Sequence, residues 1–133
     1  MRDVFLDTVG LIALWDVRDE WRRAALAGMA TLDQPGVRLV TTSLILVECG
    51  NAAARKPYRE DVCAMRERLR GQGNLIVVTE GDVEEAWAAY RNEGAGGASL
   101  VDQISFVVMR RLGIRDVFSN DRHFTAAGFN MLF

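Results

Sequence analysis

Val4-Phe5-Leu6-Asp7-Thr8 is the stretch on which the fold turns. An apolar run ends in an acid and a hydroxyl residue, and Leu11-Ile12-Ala13-Leu14-Trp15 continues with helical character. The reading is a first strand passing directly into a first helix. The same alternation repeats outward from there. Glu20 to Leu32 carries helix formers throughout and stops at Pro35-Gly36. Arg38-Leu39-Val40-Thr41 is a short strand, and Thr41-Thr42-Ser43 supplies an N-cap for a helix from about Leu44 to Arg55, ended by Pro57. Another helix spans about Arg59 to Arg70 and stops near Gly71 and Gly73. Leu75-Ile76-Val77-Val78 is a continuous run of the kind found in buried strands. Glu80 to Arg91 is helical with Val83, Ala86, Trp87 and Tyr90 on one face, and Gly94-Ala95-Gly96-Gly97 is a flexible break. Ser99 opens a helix that runs to Leu112 and stops at Gly113. Asp116-Val117-Phe118-Ser119 is a short strand, a turn follows, and Phe129 to Phe133 is the last strand. Strands alternating with helices through short loops predict an α/β fold. Its form is a three-layer α/β/α domain around a small, mainly parallel sheet, filling residues 1–133.

Half of the 133 residues are apolar and 26% are charged, enough for a real core and a solvated surface. No apolar run is long enough to cross a bilayer. Met1-Arg2-Asp3-Val4 enters a strand-like run without the longer apolar segment of a secretory signal, so the cytoplasm is the expected location. Cys49 and Cys63 have no C-x-x-C spacing, which counts against a disulfide or a zinc site. His123 is the only histidine, so a mechanism needing two imidazoles from one chain is excluded. The net charge is −2, but setting aside four acids for a metal leaves 14 acids against 16 basic residues. The overall charge therefore argues neither for nor against a nucleic-acid partner.

Four carboxylates carry the chemistry. Asp7 and Asp121 each lie just past the carboxyl end of a predicted strand, where ligands bind in open α/β sheets. Glu48 shares a helix face with Leu44 and Ala52, and Asp102 shares one with Phe106 and Met109. An ionised carboxylate on an inward face costs several kcal/mol unless something compensates it. Structural explanations exist for each alone. Glu48 fits pairing with a buried arginine, Ser99-x-x-Asp102 fits a capping box, and Asp7 and Asp121 fit helix or turn caps. Together the four suit one pocket, and four like charges share a dry pocket only with cations. Mg²⁺ and Mn²⁺ prefer carboxylate oxygens, and one or two such ions could hold a phosphodiester and activate water.

These acids and their surroundings resemble the PIN-domain nuclease family, particularly its VapC-like toxins. The matching stretches are Phe5-Leu6-Asp7-Thr8, Thr42-Ser43 with Glu48, Ser99-Leu100-Val101-Asp102 running into Phe106, and Ser119-Asn120-Asp121-Arg122-His123-Phe124 with Gly128-Phe129. They fall in the family's order along essentially the whole chain, at separations of 41, 54 and 19 residues between the acids. The resemblance implies that Asp7, Glu48, Asp102 and Asp121 are the metal-binding and catalytic acids. Thr8 and Ser99 match hydroxyl positions that help hold the metal, its water or the phosphate. It also implies a Mg²⁺- or Mn²⁺-dependent endoribonuclease that cuts a structured transfer or ribosomal RNA, forms a homodimer, and is occluded by a small antitoxin. Val9 departs from the pattern, which often has serine, threonine or asparagine there, so one polar contact beside the metal is missing.

Other classes fit less well. A haloacid-dehalogenase phosphatase needs a second aspartate where Val9 stands, and a receiver domain needs a late lysine, whereas Lys56 is the sole one. Gly94-Ala95-Gly96-Gly97 lacks the following Lys-Ser or Lys-Thr of a P-loop and reads as a mobile rim loop. The non-enzymatic rival is a degenerate PIN-like scaffold for RNA or protein, which gains nothing from keeping four repelling acids. His123 and Arg122 fit either phosphate contacts or surface roles. Trp15, Trp21 and Trp87 suit core or dimer contacts better than base stacking.

Overall fold

Val4, Phe5 and Leu6 are fully buried, and this places strand β1 (Arg2–Leu6) at the centre of the molecule. Burying each such side chain stabilises by roughly 1.5–3 kcal/mol. The computed structural model describes residues 1–133. After β1 come α1 (Thr8–Trp15), α2 (Arg22–Leu32), β2 (Val37–Thr42), α3 (Ser43–Ala53), α4 (Arg59–Gly71) and β3 (Leu75–Ile76). The chain continues with α5 (Glu80–Glu93), α6 (Leu100–Leu112), β4 (Asp116–Phe118), α7 (Arg122–Ala126) and β5 (Asn130–Met131). All strand pairings are parallel, in the order β3-β2-β1-β4-β5, and the helices flank this sheet in a three-layer α/β/α arrangement.

That order matters for the site. From β1 the chain winds outward to β2 and β3, then returns to the other side of β1 for β4 and β5. The winding reverses between β1 and β4, and such a reversal opens a crevice beyond the carboxyl ends of the two strands. Helix α1 closes tightly over β4 at this point. A Cβ on Gly10 would lie 2.1 Å from the Phe118 carbonyl oxygen, so only glycine permits the approach. At the far end of α6, Gly113 takes a left-handed conformation (φ 69°) and stops the helix as expected.

Three expectations need correction. Only Leu75 and Ile76 of the run Leu75–Val78 pair with β2, and Val77 is 77% exposed. The strand is at the sheet edge, so its apolar character does not bury it on two faces. On α5, Ala86 packs against Ile104, Val107 and Val108 of α6, but Trp87 and Tyr90 are about half exposed and meet edge to face at 5.8 Å. The turn after β4 is a short helix, α7. Of the tryptophans, Trp15 stacks on the buried Tyr58 at 6.4 Å, while Trp21 is exposed like Trp87.

The α5–α6 contact is reinforced by a buried acid. Asp82 caps α5 reciprocally with Thr79, and Arg111 of α6 donates two hydrogen bonds to it at 2.8 and 2.7 Å. The Arg111 hydrogen bonds are the main reason its carboxyl lies below the ordinary range.

Candidate active site

Asp7 follows β1 directly and caps α1, so its backbone position is fixed by two elements. Its side chain accepts the Val9 N–H at 3.3 Å and the Ser119 hydroxyl at 2.8 Å, and it is 1% exposed. Ser119 stands just past β4 and is fully buried, and its Oγ also accepts the Asp121 N–H at 3.1 Å. One hydroxyl thus ties the acid at the end of β1 to the segment after β4.

Asp121 caps α7 and accepts the His123 N–H at 3.0 Å, with the His123 Nδ1 2.9 Å from the same oxygen. Phe124, next in the chain after His123, anchors α7 in the aromatic core. Phe124 is fully buried and meets Phe106 of α6 edge to face at 4.9 Å, and Phe129 stacks on Phe106 at 5.6 Å. Because Phe106 lies one helical turn after Asp102, this packing sets Asp121 relative to Asp102. One ligand atom each from Asp102, Asp121 and His123 lie within 4.8 Å of one another.

Asp102 is in the first turn of α6, 9% exposed, and its N–H donates to the capping Ser99 Oγ at 3.1 Å. Glu48 is half-buried on α3 and accepts the Thr8 hydroxyl. Its helix face differs from the expected one. The buried stripe of α3 is Ile45, Leu46, Cys49 and Ala53, while Ala52 is exposed, so Glu48 borders the core instead of pointing into it.

The electrostatics join these residues into one group. Burial pushes the Asp7 carboxyl up to about 7; the Ser119 hydroxyl opposes this, and the charges of Asp102 and Asp121 add to it. Asp102 is pushed up to about 6, by burial first and then by Asp121, with Glu48 contributing after the opposing Ser99 hydrogen bond. His123 is raised, chiefly by its hydrogen bond to Asp121. Burial pushes the Cys49 thiol up to about 12; its hydrogen bond to Thr8 works against that, while Asp7 and Glu48 add to it, so this core cysteine is inert as a nucleophile.

None of the four acids pairs with arginine. The arginine–carboxylate pairs are Arg2–Asp116, Arg38–Asp3 and Arg111–Asp82. The buried-arginine explanation of Glu48 is therefore absent. The capping explanations of Asp7 and Asp121 are real but incomplete, because a cap does not require Asp7 to be buried with other acids beside it. Clustered carboxylate oxygens, two of them pushed up by burial with neighbouring charges adding, are the donor chemistry of a hard divalent cation, and the residues present fit such an ion.

The structure brings Asp102, Asp121 and His123 closest together. Asp7 and Glu48 lie outside that tight group and are linked to it through Ser119 and through charge. Of the hydroxyl positions, Thr8 bonds to Glu48 and Ser99 caps α6 beneath Asp102. Ser119 was not singled out from the sequence. It entered there only as the first residue of the matching stretch Ser119–Phe124, with no role given to it.

A family model described as "PIN domain" matches residues 4–130. The chain belongs to the PIN-domain family. A relative named "23S rRNA-specific endonuclease VapC20", from two strains of Mycobacterium tuberculosis, is 32% identical over 127 residues, covering 95% of each chain. The crystal structure of Mycobacterium tuberculosis VapC20, titled a "Sarcin-Ricin loop cleaving toxin", superposes with a TM-score of 0.79 at 29% identity over 96% of each chain. The three-layer fold expected from the sequence is thus the fold of a solved PIN-domain toxin. In this PIN domain the acids cluster at the reversal in strand order.

Proposed function

We propose that the chain is a metal-dependent endoribonuclease, the toxin of a toxin–antitoxin pair, whose site is Asp7, Glu48, Asp102 and Asp121. The observation that carries this reading is the gathering of buried and half-buried acids at the β1–β4 reversal, in a chain similar over 95% of its length to a ribosomal-RNA endonuclease. A Mg²⁺ or Mn²⁺ ion held by these four carboxylates would supply activation of water and neutralisation of charge on the phosphodiester.

The chain's own residues do the positioning. Ser119 fixes Asp7 and the backbone of Asp121 together, so neither acid is free to swing away from its neighbours. Thr8 holds Glu48 at the pocket's other edge. The exposed His123 imidazole, anchored through Nδ1 on Asp121, can donate from Nε2 to a phosphate oxygen at the rim. A scaffold without catalysis gains nothing from gathering these acids, which counts against the degenerate reading.

The proposed substrate is a ribosomal RNA hairpin, by likeness to the relatives, acted on in the cytoplasm by a single unit spanning 1–133. A small antitoxin would silence it. A homodimer is supported by a shallow apolar groove at the β3 edge, lined by Leu44, Val77 and Val83. Sedimentation showing only monomer at micromolar concentration would remove the dimer. Primer extension on ribosomal RNA treated with the protein should show one new 5′ end in a large-subunit hairpin. Scattered ends, or none, would contradict the substrate.

A further inference from the structure

The segment 94–97, expected to be a mobile rim loop, is fastened by one side chain. Glu93, the last residue of α5, turns its Oε2 into the loop. There it accepts the Ala98 N–H at 3.3 Å and the Gln103 side-chain N–H at 2.8 Å. Gln103 is buried and directly follows Asp102, and Ala98 is buried and directly precedes the Ser99 cap. Gly97 completes the seat, since a Cβ there would lie 2.7 Å from both the Cβ and the Oε2 of Glu93.

We propose that Glu93 is a positioning residue for the cation site. Its carboxylate latches residues 94–98 onto the first turn of α6 and thereby holds Asp102 in place. The first four N–H groups of a helix have no partner within it, so the first turn depends on its cap and on the chain leading into it. Here that lead-in contains Gly94 and Gly96, both at positive φ (67° and 99°), and has little stiffness of its own. Without Glu93 the buried Gln103 amide loses its acceptor and the loop loses its tie. The inference rests on the reading of the four acids as a cation site.

The test is Mn²⁺ binding by calorimetry on the full chain and its variants, together with melting in chelator and RNA cleavage. Glu93→Ala, and independently Gly97→Ala, should weaken Mn²⁺ binding about tenfold, while Glu93→Gln, which keeps an acceptor oxygen, should stay within about threefold of wild type. Cleavage should follow the same ranking; Glu93→Gln should melt in chelator much as wild type does, while Glu93→Ala and Gly97→Ala melt somewhat lower because the Gln103 amide loses its acceptor or the loop its seat. A role confined to stability would lower the melting midpoint and leave the Mn²⁺ affinity untouched, which overturns the latch. Wild-type Mn²⁺ affinity in every Glu93 and Gly97 variant, with binding abolished in Asp102→Asn, also overturns the latch but leaves the site standing. Mn²⁺ binding unchanged in Asp102→Asn overturns the site itself, and the latch with it.

Discussion

Asp7 combines burial with a negative charge and has no cation among its side-chain partners. In chelator the folded state therefore holds protons that the unfolded chain releases. The folded values lie at about 7 for Asp7 and about 6 for Asp102, and the unfolded values near 4. Between those limits the folded state binds more protons, so metal-free stability should fall as pH rises from about 4 to about 7. Asp7→Asn keeps an acceptor oxygen for Ser119 and Val9 while removing the charge. At pH 7.5 in chelator this variant should be more stable than wild type by roughly 0.5–2 kcal/mol, the scale on which relief of functional strain is usually felt. Urea titrations at several pH values check both points. A variant clearly less stable than wild type would make Asp7 a structural cap and nothing more. The four acids were legible in the sequence because an acid at a strand end or on an apolar helix face breaks a local pattern. Ser119 and Glu93 were not, because neither breaks one. Ser119 earns its role through a partner 112 residues away, and Glu93 through a loop whose path no local rule predicts.

At the scale of elements, most helices and strands followed from signals carried within a few residues. Ser99 and Thr42 cap their helices and Gly113 ends one, as expected. What failed was exposure, at Val77, Trp87 and the Glu48 face, because exposure depends on which element covers which. An apolar run reads the same at the centre of a sheet and at its edge. The tight approach of Gly10 in α1 to the Phe118 carbonyl was equally silent in the sequence. It yields a direct prediction. Gly10→Ala must push α1 away from backbone atoms that cannot move aside, costing about 3 kcal/mol. The same shift would separate Asp7 from Ser119, so cleavage should fall along with stability. Denaturation and RNA cleavage of the variant measure both, and an unchanged denaturation midpoint would show that α1 is not seated as described.

The whole molecule is organised by the reversal of strand order between β1 and β4. Alternating strands and helices predicted a parallel sheet with both faces covered, and the likeness to a solved PIN-domain toxin bears that out. The strand order itself was beyond local reading, and it is the order that brings Asp7 and Asp121 together across 114 positions of sequence. The central claim is that this crevice is a cation-dependent site for cutting RNA. The measurement that tests it most directly is the rate of ribosomal RNA cleavage across a Mg²⁺ titration, for wild type and Asp7→Asn. The account predicts no cutting by wild type in chelator, cutting that rises and saturates with Mg²⁺, and loss of cutting by orders of magnitude in Asp7→Asn at every Mg²⁺ concentration. Equal cutting in chelator, or an Asp7→Asn protein that cuts as wild type does, would contradict it.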